Sequence, residues 1–204
     1  MVSIRKLEPK TYDDYLALPE GLKAELIDGE LLMSPQPKGR HVRAASFIGA
    51  RLLVRFGDSA DETAEGPGGW WIFDEPECHL ALDRRVVIPD VAGWRREHMP
   101  RPPGDTHKFT GVPDWVCEVI SPSTASRDFL VKMPRYREAG VQWLWLVYPA
   151  ERRVDVFQNS GSERGQERGE EWVEVVSSEG PGRVRLPPFD GVELDTSTWW
   201  ADSD

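Results

Sequence analysis

Two runs of this chain read as strands that are apolar on both faces except for one acidic side chain each. In Arg85-Val86-Val87-Ile88-Pro89-Asp90-Val91-Ala92-Gly93-Trp94, strand alternation puts Asp90 on a face with Val86, Ile88 and Ala92. In Asp114-Trp115-Val116-Cys117-Glu118-Val119-Ile120-Ser121, Glu118 lies between Val116 and Ile120, while Trp115, Cys117 and Val119 take the other face. Strands of this kind are covered on both sides, so the chain must build a sheet with helices or a second layer against it. A carboxylate inside such a strand is costly unless it is paired or ligates a cation. Two of them suggest neighbouring strands that hold a divalent metal.

The surrounding patterning predicts the other elements. Thr11 to Leu18 reads as a short helix with Thr11 as N-cap and Pro19 ending it. Residues 24–33 read as a hairpin about Asp28-Gly29. After a Pro35/Pro37 loop, Val42, Ala45, Ile48, Leu52, Leu53 and Phe56 recur at helical spacing over about 38–56. A turn at 66–69 leads to strands at about 70–74, 77–82, 86–93 and 114–121. Ser123-Thr124 with Asp128 starts a helix running to about Gly140, which either kinks at Pro134 or restarts with that proline in its first turn. Trp143 to Tyr148 is a central strand, and 154–157 with 172–176 form an antiparallel pair joined by a polar loop at 159–171. A short strand at 183–186 and a turn at Pro187-Pro188 follow. The expected class is α/β (α+β): a mixed sheet flanked by helices, with additional antiparallel strands.

At 204 residues the chain fits one domain (1–204), with a core over about 11–157 and a C-terminal β extension over about 158–204. No apolar run is long enough for a membrane span, and the first residues lack the apolar stretch of a secretion signal. Cys78 and Cys117 sit in apolar strands without metal-ligand spacing, as reduced core residues of a cytoplasmic protein would. A net charge of −10 argues against nonspecific nucleic-acid binding over a broad basic face. It leaves room for an enzyme with uneven charge, because basic residues cluster at 38–55, 95–101 and 132–137.

Other side chains join Asp90 and Glu118 as candidates. Lys132 fits an i,i+4 surface pair with Asp128, but Phe129 and Tyr136 bring it to the edge of the apolar stripe. Glu25 is carried on a hairpin strand that points it either way. His41, in the first turn of the long helix, is a candidate contact for a site or a phosphate, although a lone histidine there is more often a surface or satisfied residue. Glu77 and His79 share one strand face and are a further candidate pair. Arg40, Arg43, Arg95 and Arg96 are candidate phosphate contacts, although a solvated face explains each equally well. No Gly-rich phosphate loop, Cys/His zinc spacing or Gly-x-Ser-x-Gly elbow is present.

Four segments carry a resemblance: Glu25-Leu26-Ile27-Asp28-Gly29-Glu30, Val87-Ile88-Pro89-Asp90-Val91-Ala92, the run from Pro113 through Glu118-Val119-Ile120-Ser121-Pro122-Ser123-Thr124, and Tyr136 through Gly140-Val141 to Val147. In order and content they resemble the PD-(D/E)XK nuclease superfamily, and within it the Uma family of restriction-endonuclease-like proteins. The resemblance implies a restriction-endonuclease-like core and a DNA endonuclease using Mg²⁺ or Mn²⁺, with Asp90 and Glu118 as metal ligands and Glu25 as an extra acid. It implies a metal ligand in the Ile120 backbone carbonyl and a homodimer, as many nucleases of this core form. The superfamily's lysine two residues after the second acid is replaced here by Ile120, so Lys132 would take over orienting the attacking water. Two carboxylates about 4 Å apart repel by roughly 4 kcal/mol at an effective dielectric near 20. A divalent cation with oxygen ligands reverses that sign. Two rival readings stand: a catalytically inactive nucleic-acid-binding or assembly module, favoured by Ile120, and a tryptophan-rich module binding carbohydrate or protein, which requires exposed indoles.

Overall fold

The Asp28-Gly29 pair turns the chain back on itself. Both residues have positive φ (49° and 91°), and β1 (Ala24–Ile27) pairs antiparallel with β2 (Glu30–Met33) across them. The computed structural model describes residues 8–19, 21–33, 36–57, 67–81, 84–121, 125–160 and 171–200. The expectations for Pro35, the start of the turn at Gly66, the helix start at Ser123-Thr124 and most of the 159–171 loop lie outside the described residues. Helix α1 (Tyr12–Leu16) is closed as predicted: Thr11 Oγ1 accepts the Asp14 N–H at 3.2 Å, and Asp14 Oδ2 accepts the Thr11 N–H at 2.8 Å.

Helix α2 (Gly39–Phe56) buries Ala44, Ile48, Leu52 and Phe56, and packs on β3 (Trp70–Asp74). Val42 and Leu53, expected on that stripe, are exposed instead. The contact follows a four-residue ridge, and both positions fall off it.

The strands form two principal sheets rather than one. The first has the order β2-β1-β5-β4-β7, where β4 is Glu77–Ala81, β5 Arg85–Val87 and β7 Lys108–Phe109. In the second, β6 is Val91–Arg95, β8 Trp115–Val119, β9 Trp143–Tyr148, β10 Arg153–Asn159 and β11 Trp172–Glu179, in the order β11-β10-β9-β8-β6-β3. This second sheet is the expected mixed one: β8 and β9 run parallel, and its other neighbours are antiparallel. A ribbon of β12 (Arg183–Val184) and β13 (Leu194–Asp195) follows.

The strand expected over 86–93 is broken at a proline, and the helix expected over 123–140 changes its winding just before one. The strand expected over 86–93 splits into β5 in the first sheet and β6 in the second, with Ile88 to Asp90 crossing between them. Pro89 has no N–H to give a ladder, so pairing stops there. Asp90 therefore stands at the mouth of β6, not on a continuous strand face. The helix expected over 123–140 becomes α3 (Ala125–Arg127), a π-helical turn (Asp128–Lys132) and α4 (Met133–Ala139), with Pro134 in the first turn of α4.

The six-stranded sheet is covered on both faces. One face packs Trp115, Cys117 and Trp145 against α2, Phe189 and Trp199. The other packs Val116, Leu144 and Leu146 against Ile27, Cys78, Val87 and Tyr136. Cys78 and Cys117 are buried free thiols. All nine tryptophans are buried or half-buried. No helix among the described residues is long and apolar enough to cross a membrane.

Candidate active site

Ladder register brings the two central acids together. β6 and β8 pair antiparallel with Val91 opposite Cys117. One residue further along that register, Asp90 stands across from Glu118. Asp90 Oδ2 accepts the Val119 N–H at 2.6 Å, and Oδ1 lies 2.7 Å from His41 Nε2. Asp90, Glu118, His41 and Lys132 line one cavity of about 170 Å³, with Lys23, Lys38, Arg127 and Asp128 around it.

Lys132 is the pivot of the buried part. Its Nζ lies 2.6 Å from Glu118 Oε1, 3.1 Å from Glu25 Oε1 and 3.2 Å from the Ile88 carbonyl oxygen, so its three N–H donors are all engaged. It is only 3% exposed, which rules out the surface pair with Asp128. The π turn and α4 deliver a second donor one turn on: the Tyr136 hydroxyl donates to Glu118 Oε1 at 2.5 Å. Glu25 comes from the five-stranded sheet, 1% exposed. Its Oε1 accepts the Ile88 N–H at 2.8 Å, and its buried Oε2 has no hydrogen-bond partner; Arg127 Nη1 stands 3.9 Å away.

Charge is crowded here. Burial alone would push the Asp90 carboxyl up, but the His41 hydrogen bond and charge, Lys132 and the Val119 N–H hold it below the usual carboxylate range. Glu118 goes the other way. Burial, with Asp128, Asp90 and Glu25 nearby, pushes its carboxyl up to about 8, and Lys132 opposes this only in part. Burial also disfavours the Lys132 charge, yet Glu118, Glu25, Asp128 and Asp90 hold its pKa above the ordinary lysine value. Four acids thus face one fully buried ammonium, with His41 and Arg127 at the margin.

The backbone alternates at the end of β8. Ile120 N–H donates to the Val147 carbonyl at 2.7 Å, toward β9, whereas Val119 N–H donates to Asp90. A strand residue turns its N–H and C=O to the same side, so the Val119 carbonyl lies on the Asp90 side, whereas Ile120, beyond the end of β8, turns its N–H toward β9. Val119 lines the cavity.

Other sequence candidates stand apart from this centre. Arg40 and Arg43 are exposed on α2 outside the cavity lining, with Arg43 over the Phe47 ring at 4.9 Å. Arg95 and Arg96 stack on Trp70 and Trp71 at 4.7 and 3.9 Å. Glu77 and His79 pair with each other at 2.6 Å in the five-stranded sheet, with His79 Nδ1 3.1 Å from the Tyr12 hydroxyl. Sequence reasoning missed Tyr136 as a site residue, although its i+4 spacing from Lys132 was the available signal. It also missed Asp128, Lys23 and Arg127, whose surroundings are set by the π turn and the sheet crossing.

Among the described residues, no three His, Cys, Asp or Glu side chains converge as a ready-made metal cage. Magnesium does not need one: it binds through one or two carboxylates and completes its shell with waters and phosphate oxygens. The donor set of Asp90, Glu118 and a backbone carbonyl suits that mode. The surplus of buried acid and the orphaned Glu25 Oε2 are what a nearby cation would relieve.

Comparison with known proteins bears on the same residues. A crystal structure titled as a "putative nuclease belonging to DUF820" from Anabaena variabilis ATCC 29413 superposes with a TM-score of 0.67 at 22% identity, covering 94% of this chain and 98% of the other. That likeness establishes a shared fold. No curated protein matches the chain. The family model described as "Putative restriction endonuclease" matches residues 12–197, a span that includes every residue of the cavity. The chain belongs to this family, Uma2.

Proposed function

We propose that the protein is a divalent-metal-dependent endonuclease that hydrolyses phosphodiester bonds in DNA. The observation that carries the reading is Lys132: a buried ammonium against Glu118 and Glu25, in the cavity that Asp90 lines, where position 120 offers no lysine. Asp90, Glu118 and the Val119 carbonyl would hold Mg²⁺ or Mn²⁺. When bound, such an ion polarises a phosphate oxygen and lowers the pKa of a coordinated water.

The chain's own groups do the rest. His41 Nε2 and the Val119 N–H fix both Asp90 oxygens. Tyr136 and Lys132 both occupy Glu118 Oε1, which leaves Oε2 to turn toward a ligand. Lys132 supplies positive charge beside the reacting phosphate. To orient a water it must release one bond, and the one to Ile88 is the longest of its three. The N-terminus of α2 has no side-chain cap, and Pro37, Lys38 and His41 border the cavity, so a phosphate there meets N–H donors and the positive end of the helix. Lys23, Lys38 and Arg127 provide local cations despite the net charge of −10.

The test is cleavage of plasmid DNA with Mg²⁺ or Mn²⁺. Asp90→Ala, Glu118→Ala and Lys132→Met should each lower the rate at least 100-fold, on the order of general acid–base and electrostatic losses. The reading fails if the wild type binds DNA but never cuts it in either metal. That result would favour the inactive binding module, for which the saturated Lys132 donors and Ile120 already speak. The tryptophan-rich module is poorly supported, since every tryptophan is buried or half-buried.

A further inference from the structure

Beside the cavity of Asp90 and Glu118 lies a larger cleft of about 860 Å³, bounded by α1, Leu18, Pro19, Gly21, Leu22 and Lys23, the turn between β3 and β4, and β7. Lys23 and Ile88 line both spaces, so the two adjoin across these residues. Sites for small organic groups run roughly 300–1,000 Å³. At about 170 Å³ the first cavity falls below that range and suits a phosphate rather than a nucleoside. The cleft falls inside it.

The cleft walls favour a base over a phosphodiester backbone. Asp74, Glu75 and Glu77 line it together with Lys23 and Lys108, and with Lys23 already paired to Glu75 the acids outnumber the cations and disfavour a run of phosphates. Tyr15, Leu22, Phe73 and Phe109 give it aromatic and aliphatic surface, with Leu22 45% exposed. Glu77 is held in place by His79 at 2.6 Å, with His107 Nε2 3.6 Å away and the Tyr15 ring in the same wall. As a carboxylate with four lone-pair sites it retains capacity to accept from an exocyclic amino group. Pockets for extruded bases combine apolar and aromatic walls with polar groups on the base edge. At the junction, Lys23 pairs with Glu75 at 2.5 Å in a partly exposed bridge that is cheap to give up to a phosphate.

We propose that this cleft is a nucleobase subsite that takes an unpaired base next to the phosphodiester bound at Asp90 and Glu118. The proposal rests on the nuclease reading and deepens it: the substrate is a strand whose nucleotide beside the cut is unpaired.

Fluorescence anisotropy with labelled duplexes tests it, using Ca²⁺ in place of Mg²⁺ to slow turnover. A duplex with one unpaired adenosine should bind about tenfold more tightly than the fully paired duplex, the factor expected for one stacked base. An abasic residue at that position should remove the advantage. Leu22→Asp, at a half-exposed position that does not line the cavity of Asp90 and Glu118, should remove it too while leaving Mn²⁺ titration unchanged. Equal binding of all three duplexes, or an unaffected Leu22→Asp variant, overturns the proposal. The two readings part cleanly. Base-dependent binding in a protein that never cuts supports the cleft and sinks the hydrolase. Mn²⁺-dependent cleavage indifferent to the unpaired base and to Leu22→Asp sinks the cleft alone.

Discussion

At the scale of single residues, Glu118 and Lys132 define what the centre can do. Glu118, pushed up to about 8 against an ordinary value of 4.5, binds its proton more tightly folded than unfolded. Its contribution to stability is therefore fully present below about pH 4.5 and is lost as pH rises through about 8. Glu118→Gln keeps an acceptor for Lys132 and Tyr136 but does not titrate. Urea unfolding in a chelator should show the variant gaining on the wild type between pH 5 and pH 8.5; a constant difference would contradict the assignment. Lys132 carries the opposite risk. Lys132→Met leaves Glu118 and Glu25 buried without their shared cation, and breaking a buried pair in this way costs about 3–5 kcal/mol. Adding Glu118→Gln to Lys132→Met should recover part of that loss in the same unfolding measurement at alkaline pH, where an ionised Glu118 would be a stranded charge, and little of it below about pH 8.

At the scale of elements, the strands and helices were legible where local chemistry decides them. Asp28-Gly29, the Thr11 cap and the both-face apolar runs at Trp115–Val119 and Trp143–Tyr148 read directly from residue order. The acids of the site were legible for the same reason: Glu118 interrupts a run that has no turn or cap to explain it. What residue order does not contain is which strand pairs with which. The break at Pro89 was visible as a residue but not as a change of sheet, and Glu25 comes near Lys132 only because β1 pairs with β5. The π turn likewise sets the azimuth of Lys132, and helical periodicity alone cannot supply it. A packing constraint on β6 can be tested. A Cβ on Gly93 would stand 3.0 Å from Ile72 Cδ1, 3.1 Å from Trp115 Cε3 and 3.2 Å from Trp70 Cε3. Two indoles in a filled core cannot both give way, so Gly93→Ala should lose about 1–3 kcal/mol. Thermal melting should show this as a drop of about 2–4 °C per kcal/mol.

At the scale of the whole molecule, the candidate centre is also a joint between two sheets. Glu25 and Ile88 belong to the side of the five-stranded sheet, Glu118 to the six-stranded one, and Lys132 reaches both. In the protein without metal, that single ammonium sits among four acid side chains at the joint, and Glu118 keeps its proton below about pH 8. A cation that binds only the folded chain adds stability as RT ln(1 + [L]/Kd), about 2.7 kcal/mol at a hundredfold excess over Kd. Mn²⁺ should therefore raise the melting temperature of the wild type in a concentration-dependent way, and by much less in Asp90→Asn, whose amide weakens the ligand set while keeping its shape. Ca²⁺ accepts a looser shell of oxygen ligands and should stabilise as well. If Mn²⁺ stabilised Asp90→Asn as much as the wild type, the ion would be binding elsewhere on an acidic surface, and the two central carboxylates would be held by Lys132 and His41 alone.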